Sequence, residues 1–146
     1  MGKGTQTVEQ RNIGVAQRVW DEVWHQGNFR VMDELFDPQF VRHDLNPNEG
    51  QGRERHEQLI RQLRSAFPDL HYSVDDVIAS GDKVVTRYHF EGTHLGDSLG
   101  FPPTGKKVGY TGMLIQRFAN GKIVEQWTEW NQLSLYQQLG RIAPQR

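Results

Sequence analysis

One stretch of the chain, residues 92–108, reads Gly-Thr-His-Leu-Gly-Asp-Ser-Leu-Gly-Phe-Pro-Pro-Thr-Gly-Lys-Lys-Val. It lies between two long segments in which apolar and polar residues alternate, as they do in β-strands. Glycine frees the backbone angle φ, whereas Pro102 and Pro103 fix φ and remove two N–H donors. The stretch therefore predicts an irregular loop with a defined path at a strand end, with Thr93 and His94 where the strand gives way to the loop.

A β-hairpin is predicted beyond the loop. The segments 84–91 and 108–118 are the strands on either side of the loop. Asn120 and Gly121 form the dipeptide that is most typical of a two-residue hairpin turn. The last strand then covers residues 123–131.

The first half of the chain has the period of helices. Apolar residues recur at helical spacing over residues 8–26 and 53–67, and a shorter helix over residues 29–36 is stopped by Pro38. After Pro68 the period changes from about 3.6 to 2. The other predicted elements are a short strand, a longer strand and a closing helix, over residues 39–43, 72–78 and 133–139.

This order of elements indicates the fold class. Helices followed by an antiparallel meander are typical of an α+β domain. We expect a single domain over residues 1–146. Its three N-terminal helices should pack across a curved, mainly antiparallel sheet and leave a pocket between the two layers.

The composition excludes several classes of function. The chain has 146 residues, a formal net charge of −1 and no cysteine. Disulfides, thiolate catalysis and cysteine-ligated zinc are therefore excluded, and the six histidines show no metal-ligating spacing. The small net charge predicts no nucleic-acid partner. Without a signal-peptide core or a membrane-length apolar run, we expect no membrane partner and a cytoplasmic location.

The hairpin turn predicts which side chains share a face. Strand alternation counted outward from a two-residue turn opposes Trp127 to Leu114. The face predicted to line the pocket then contains Tyr110, Gly112, Leu114, Trp127, Glu129 and Asn131. The opposite face, with Met113, Ile115 and Trp130, is core or a subunit interface. A bulge would exchange these assignments.

Five side chains are the leading candidates for the site. Glu129, set among aromatic residues, would have its pKa raised by burial and become a general base, or else would be an exposed carboxylate paired with a lysine. His43 and His94 lie at strand ends and would supply polar groups to the pocket, unless His94 holds the loop by a hydrogen bond. Trp20 and Trp24, four residues apart, belong to the core or line the pocket mouth.

Several motifs together resemble a known family. They are Glu22-Val23-Trp24-His25-Gln26-Gly27-Asn28, Asp33-Glu34-Leu35-Phe36, Phe40-Val41-Arg42-His43-Asp44, Ala66-Phe67-Pro68-Asp69-Leu70, the loop 92–106, Gly121-Lys122-Ile123-Val124-Glu125-Gln126-Trp127 and Gln137-Gln138-Leu139-Gly140. On these motifs the chain resembles the SnoaL-like polyketide cyclase family of the NTF2-like superfamily. The resemblance implies a cone-shaped α+β barrel with a deep pocket, usually in an oligomer, here a homodimer or homotetramer.

The resemblance also implies a chemistry. Cyclase members of the family use acid/base catalysis without a cofactor or metal to close a ring by intramolecular aldol condensation. Those members carry an aspartate near the end of the last strand, where this chain has Asn131. An amide cannot accept a proton from carbon at neutral pH. We therefore expect Glu129 or His43 to be the base and Asn131 to be a hydrogen-bond donor, acting on a small apolar carbonyl ligand.

A second class of function stays open. Asn131 favours a pocket protein that binds a small molecule without catalysis. Other relatives in the family act as hydroxylases, so hydroxylation or hydrolysis of a similar ligand is a further alternative. The sequence therefore predicts a ligand pocket and leaves the reaction open.

Overall fold

The computed structural model describes residues 5–142, and no helix within that range has the length and apolar character needed to cross a membrane. The chain begins with helix α1 and a π-helical continuation, Val8–Arg18 and Val19–His25. A 3₁₀ turn, helix α2 and strand β1 follow, Phe29–Val31, Met32–Leu35 and Phe36–Arg42. A second 3₁₀ turn and helix α3 come next, Pro47–Glu49 and Arg53–Ala66. Strands β2 to β5 and helix α4 are His71–Ser80, Lys83–Thr93, Lys107–Ala119, Lys122–Trp130 and Gln132–Gln138.

The five strands form one mixed sheet in the order β1-β5-β4-β3-β2. β1 runs parallel to β5, and the other neighbours are antiparallel. Helices α1 and α3 pack on the sheet, and an apolar core that includes Phe36, Phe67 and Phe90 fills the space between the layers. The predicted α+β fold is confirmed, although the sheet stays open at β1 and β2 and does not close into a barrel.

The first helix changes its winding halfway. Its start is fixed by a capping box, in which the Thr7 hydroxyl accepts from the Gln10 backbone N–H and the Gln10 side chain accepts from the Thr7 N–H, both at 3.0 Å. The segment Val19–His25 is a π-helix, in which backbone N–H groups bond to the fifth preceding carbonyl, as Gln26 does to Asp21, and each turn holds more residues. Residues four apart then lie nearly above one another, and the rings of Trp20 and Trp24 stack with centroids 6.3 Å apart.

The second helix is shorter than the sequence predicts. It ends at Leu35, and β1 begins at Phe36 and includes Pro38. Proline was expected to separate helix from strand, but β1 is an edge strand, where a missing N–H is tolerated. The pairing of β1 with β5 is irregular between Phe36 and Val41, around the proline.

The predicted hairpin turn is present. Asn120 and Gly121 have φ values of 53° and 78°, and Ala119 pairs with Lys122 on either side of them. Positive φ at both central residues is the requirement of a type I′ turn, which asparagine and glycine satisfy at low cost.

A bulge follows directly after this turn. Phe118 pairs with Ile123, but the next pair along β4 is Arg117 with Glu125. Val124 is therefore an extra residue in β5 that has no opposite partner. From Glu125 onward, every side chain of β5 lies on the face opposite to the one predicted from the turn.

The bulge corrects the predicted pocket wall. Trp127 and Glu129 are exposed on the outer face of the sheet, whereas Gln126 and Thr128 are buried on the inner face. Trp130, predicted on the outer face, instead packs against the core. The side chains predicted for β4 are on the expected face, because the extra residue belongs to β5.

His94 joins the two ends of the long loop by hydrogen bonds. Its backbone N–H donates to the Lys106 carbonyl at 2.9 Å, and its own carbonyl accepts from Gly105 at 2.8 Å. Its ring Nδ1 accepts the backbone N–H of Thr104 at 3.0 Å. Burial lowers the pKa of His94, which keeps the ring neutral and able to accept. His94 is thus the loop-holding residue of the alternative interpretation and is not in the cavity described below.

The same loop lies very close to helix α3. The backbone N–H groups of Leu95 and Gly96 both donate to the Ala66 carbonyl, at 3.0 and 3.1 Å. A Cβ atom on Gly96 would lie 2.2 Å from the carbonyl oxygen of Ser65. Glycine is therefore required here by close backbone approach.

Gly96→Ala is expected to lower the free energy of unfolding by more than about 2 kcal/mol, because the added methyl group meets backbone rather than a side chain. Gly14→Ala is the matched control, since a Cβ at Gly14 meets no atom within 4 Å. The control should leave stability unchanged or raise it by up to about 1 kcal/mol. Urea unfolding of both variants measures the difference. Equal stabilities would contradict the close approach.

Candidate functional site

A cavity of about 220 Å³ lies between the helices and the inner face of the sheet. Seven of its lining residues are aromatic: Trp20, Trp24, Tyr72, Tyr88, Tyr110, Trp130 and Tyr136. The lining residues that keep some exposure include Gln62, Leu99 and Tyr136. They lie on α3, on the loop after β3 and on α4, so the opening lies between these three segments. Gln62 and Ser98 exchange two hydrogen bonds that join α3 to the loop at this rim.

Polar side chains form a row across the floor of the cavity. Arg42 of β1 pairs in register with Gln126 of β5, and Gln126 pairs with Gln116 of β4. All three are buried, although glutamine and arginine are usually exposed. The Gln116 amide donates to Gln126 Oε1 at 3.1 Å, and the Gln126 amide donates to Thr128 Oγ1 at 2.9 Å. The floor therefore carries a chain of hydrogen bonds that ends at Thr128.

Arg42 is the one cationic side chain among the described residues that line the cavity. It is 5% exposed. Its Nε and Nη2 groups donate to the Asp44 carboxylate at 2.9 to 3.1 Å, and its Nη1 lies 3.3 Å from His56 Nδ1. Asp44 also accepts the backbone N–H of Thr128 at 3.2 Å. A guanidinium has five N–H donors, so one hydrogen on each terminal nitrogen of Arg42 has no acceptor within residues 5–142.

His56 is neutral in this environment. Burial and then the positive charge of Arg42 hold the pKa of His56 well below its usual value. Because Arg42 can only donate, Nδ1 of His56 must accept and the ring proton must lie on Nε2. Nε2 is buried and has no partner in the described part of the chain. An unpaired buried donor costs about 1–3 kcal/mol, which is typical of a site that is kept for function.

The buried tyrosines are neutral as well. Burial raises the pKa of Tyr88 to about 12 and raises the pKa values of Tyr72 and Tyr110. The hydroxyl groups of Tyr72 and Tyr110 are hydrogen-bonded to each other at 2.9 Å. None of the aspartates and glutamates between residues 5 and 142 lines the cavity. The cavity therefore offers one fixed cation, neutral hydroxyl and amide groups, and a neutral imidazole.

His43 and Trp127 lie together on the outer face of the sheet. Their rings stack with centroids 4.9 Å apart, and His43 Nε2 lies 2.7 Å from a carboxylate oxygen of Glu125. Trp127 is 37% exposed. Neither residue lines the cavity, which corrects the predicted position of both. The cause for Trp127 is the bulge. The hydrogen bonds from His43 and then from Arg117 lower the pKa of Glu125.

Glu129 and Asn131 are also outside the cavity. Glu129 is exposed on the outer face, opposite Met113. Asn131 follows the last residue of β5 and caps helix α4, with its Oδ1 accepting the backbone N–H of Ser134 at 3.1 Å. The predicted base and its predicted partner therefore do not face a ligand in the cavity.

Four of the predicted contact residues do line the cavity: Tyr110, Leu114, Trp20 and Trp24. A substrate-binding role for them stays a prediction. Arg42, His56, Gln116 and Thr128 were not predicted from the sequence. A signal was available for Gln116, because the inward alternation of β4 continues to it from Leu114. No group of three or more metal-ligating side chains is present among the residues that the structure describes.

The chain matches one known protein family over most of its length. A family model described as SnoaL-like polyketide cyclase matches residues 14–139. No functionally curated protein matches the chain significantly.

Solved structures share the fold. IdmH from Streptomyces antibioticus, provisionally designated a polyketide cyclase, is 30% identical with a TM-score of 0.73, and the match covers 88% of this chain and 98% of IdmH. A protein of Bacillus cereus ATCC 10987 with the same designation is 30% identical with a TM-score of 0.79, over 92% and 83% of the two chains. AclR from Streptomyces galilaeus, provisionally designated a hydroxylase, is 24% identical with a TM-score of 0.82, over 94% and 86%. The likeness to AclR shows the fold.

Acidification should destabilise the protein through His56. The unfolded chain binds a proton at this residue near pH 6.5, whereas the folded state resists protonation. The contribution of neutral His56 to the free energy of unfolding is therefore complete above about pH 6.5. It is lost as the pH falls toward the lower pKa of the folded state. Urea unfolding between pH 7.5 and 5 should show a falling free energy of unfolding in the wild type and a shallower fall in His56→Asn. The variant keeps an acceptor for Arg42. Equal dependence of the free energy of unfolding on pH in the two proteins would refute the lowered pKa of His56.

Proposed function

The chain belongs to the SnoaL-like polyketide cyclase family, and on this premise we propose that it closes a ring, by an aldol-type reaction without a cofactor, in a small and largely apolar carbonyl compound bound in the cavity. The observation that carries the proposal is the buried Arg42, whose uncommitted N–H groups belong to a cavity with aromatic walls. A fixed cation in a water-poor site stabilises the oxyanion that forms when a ketone loses an α proton.

In the first step, a ketone oxygen of the ligand accepts hydrogen bonds from Arg42. The ketone accepts from the uncommitted N–H groups, and as the guanidinium turns toward it the 3.3 Å contact between Arg42 Nη1 and His56 Nδ1 opens. When the donor turns to the ketone, the lone pair on His56 Nδ1 becomes available. This nitrogen then accepts the α proton, and the imidazolium forms beside the enolate that Arg42 stabilises.

In the second step, the enolate carbon attacks another carbonyl carbon of the same molecule. A carbon–carbon bond forms, and the second carbonyl oxygen becomes an alkoxide that takes the proton back from His56. No atom is gained or lost overall, so the reaction needs no oxidant or reductant. The aromatic wall holds the ligand folded so that the two carbons meet.

A non-catalytic binding protein is the second candidate. The observation that favours it is the absence of a carboxylate from the cavity wall in residues 5–142. His56, with its lowered pKa, is a weak base. A protein of this kind would bind the same apolar carbonyl compounds and leave them unchanged.

Exchange of α protons in D₂O separates the two candidates without knowledge of the natural substrate. The wild type should speed deuterium incorporation into the methyl group of 2-acetylnaphthalene, followed by NMR. His56→Asn should lose on the order of 100-fold of this rate while it still binds the ketone. Arg42→Met combined with Asp44→Asn should lose the rate too, and it leaves no unpaired charge.

Glu129→Gln is the matched control, because Glu129 is outside the cavity, and its rate should equal that of the wild type. Binding of the ketone with no exchange in the wild type would favour the non-catalytic protein. A loss of rate in Glu129→Gln would mean that Glu129, on the outer face, is the base and that His56 is not.

We further propose that the chain forms a homodimer through the outer face of the sheet. Met113, Ile115 and Trp127 are 54%, 38% and 37% exposed there, and Ile115 pairs with Trp127 across β4 and β5. An apolar patch of this kind is typical of a subunit interface, and a two-fold axis through it would bury the patch against its own copy.

Light scattering at micromolar concentration should give the mass of a dimer. Ile115→Glu puts a charge in the centre of the patch and should give a monomer. Val8→Glu is the control, since Val8 is 51% exposed at the start of α1, away from the sheet, and it should stay dimeric. A monomeric wild type would refute the proposed interface.

A further inference from the structure

The chain of hydrogen bonds on the cavity floor has a direction. Gln116 donates to Gln126, and Gln126 donates to Thr128 Oγ1. A hydroxyl group has one hydrogen to donate. Because Thr128 Oγ1 receives the hydrogen bond from Gln126, its own hydrogen must point away from Gln126. No residue between 5 and 142 accepts that hydrogen, and Thr128 is both buried and part of the cavity lining.

Thr128 lies beside the charge pair at the end of β1. Its backbone N–H donates to the same Asp44 oxygen that Arg42 Nε contacts. The side chain of Thr128 is on the inner face of the sheet, as is that of Arg42. Thr128 and Arg42 are thus joined through Asp44, and both line the cavity with hydrogens that have no acceptor between residues 5 and 142.

We propose that the Thr128 hydroxyl is a second donor to the oxyanion of the ligand and that Gln116 and Gln126 hold it in the donor orientation. The proposal rests on the proposed function, because it takes the ligand oxygen to lie at Arg42. Thr128 would touch the reacting oxygen and is a catalytic residue in that sense. Gln116 and Gln126 act through Thr128 and are positioning residues.

Two donors suit an enolate better than one. Charge-assisted hydrogen bonds to an oxyanion are about twice as strong as neutral ones. Arg42 is already compensated by Asp44, so a second donor that carries no charge strengthens the oxyanion site without adding an unpaired ion. The preference for the enolate over the ketone then depends on both residues.

Binding of 2-naphthol tests the proposal without turnover. Naphthol and naphtholate have the same shape, and naphtholate carries the negative oxygen of an enolate, so the absorbance of the bound ligand over a pH titration gives the affinity ratio of the two forms. The wild type should favour naphtholate at least tenfold. Thr128→Val should lose about tenfold of that preference, and Thr128→Ser should keep it because the hydroxyl group is kept.

Thr86→Val is the matched control. Thr86 is buried on the inner face of β3, in the same row as Thr128 through Leu114, but it does not line the cavity. It should keep the naphtholate preference. Gln116→Leu combined with Gln126→Leu removes both amides, so neither is left buried without the other. The variant should lose part of the preference because the Thr128 hydroxyl can then rotate.

The outcomes separate the two proposals. If the preference for naphtholate is lost in Arg42→Met with Asp44→Asn but kept in Thr128→Val, the role of Thr128 is wrong and the proposed function stands. No preference in the wild type overturns both. Equal losses in Thr128→Val and Thr86→Val would overturn the assignment, since they would mean that valine acts through packing and not through the lost donor.

Discussion

A guanidinium cannot stay buried without a counter-charge, and the ion pair between Arg42 and Asp44 is the interaction on which the cavity depends. It fixes the end of β1 to β5, because the backbone of Thr128 donates to the same carboxylate. It also fixes α3 to β1 through His56. The three segments that enclose the polar corner of the cavity are therefore joined at one charge. Loss of one partner alone would leave an uncompensated ion among aromatic rings, so the pair can change only as a pair.

The fold could be predicted where the chain acts locally. The turn at Asn120 and Gly121 follows from the φ values that these residues tolerate, and the change of period after Pro68 separates helices from strands. The resemblance to the family was sufficient for the fold and for family membership. The bulge at Val124 could not be predicted, because one extra residue costs little locally and is favoured by the packing of the whole strand. That single residue decides whether Glu129 or Thr128 faces the cavity.

The candidate site was harder to predict than the fold for a related reason. Arg42 and His56 meet from a strand and a helix that are separated by a loop, so no spacing along the chain reveals their contact. Asn131 matched the position of a family aspartate, but the strand ends one residue before it and the side chain caps a helix. The role of a residue at the end of a strand is the least reliable to infer from relatives. A shift of the strand end by one residue turns a side chain of the pocket wall into a helix cap. The positions of Trp20, Trp24 and Tyr110 were easier to predict, since large aromatic side chains are usually buried against the core.

The distribution of tryptophan in this chain gives it a built-in optical reporter. Of its four tryptophans, Trp20, Trp24 and Trp130 line the cavity, and Trp127 lies outside it. A conjugated ligand in the cavity would lie beside three indoles and would quench them where its absorption overlaps their emission. Three of the four indoles are thereby coupled to occupancy, while Trp127 is exposed on the outer face of the sheet. The two faces of one sheet can thus be monitored in the unlabelled protein, the inner face by three indoles and the outer face by one.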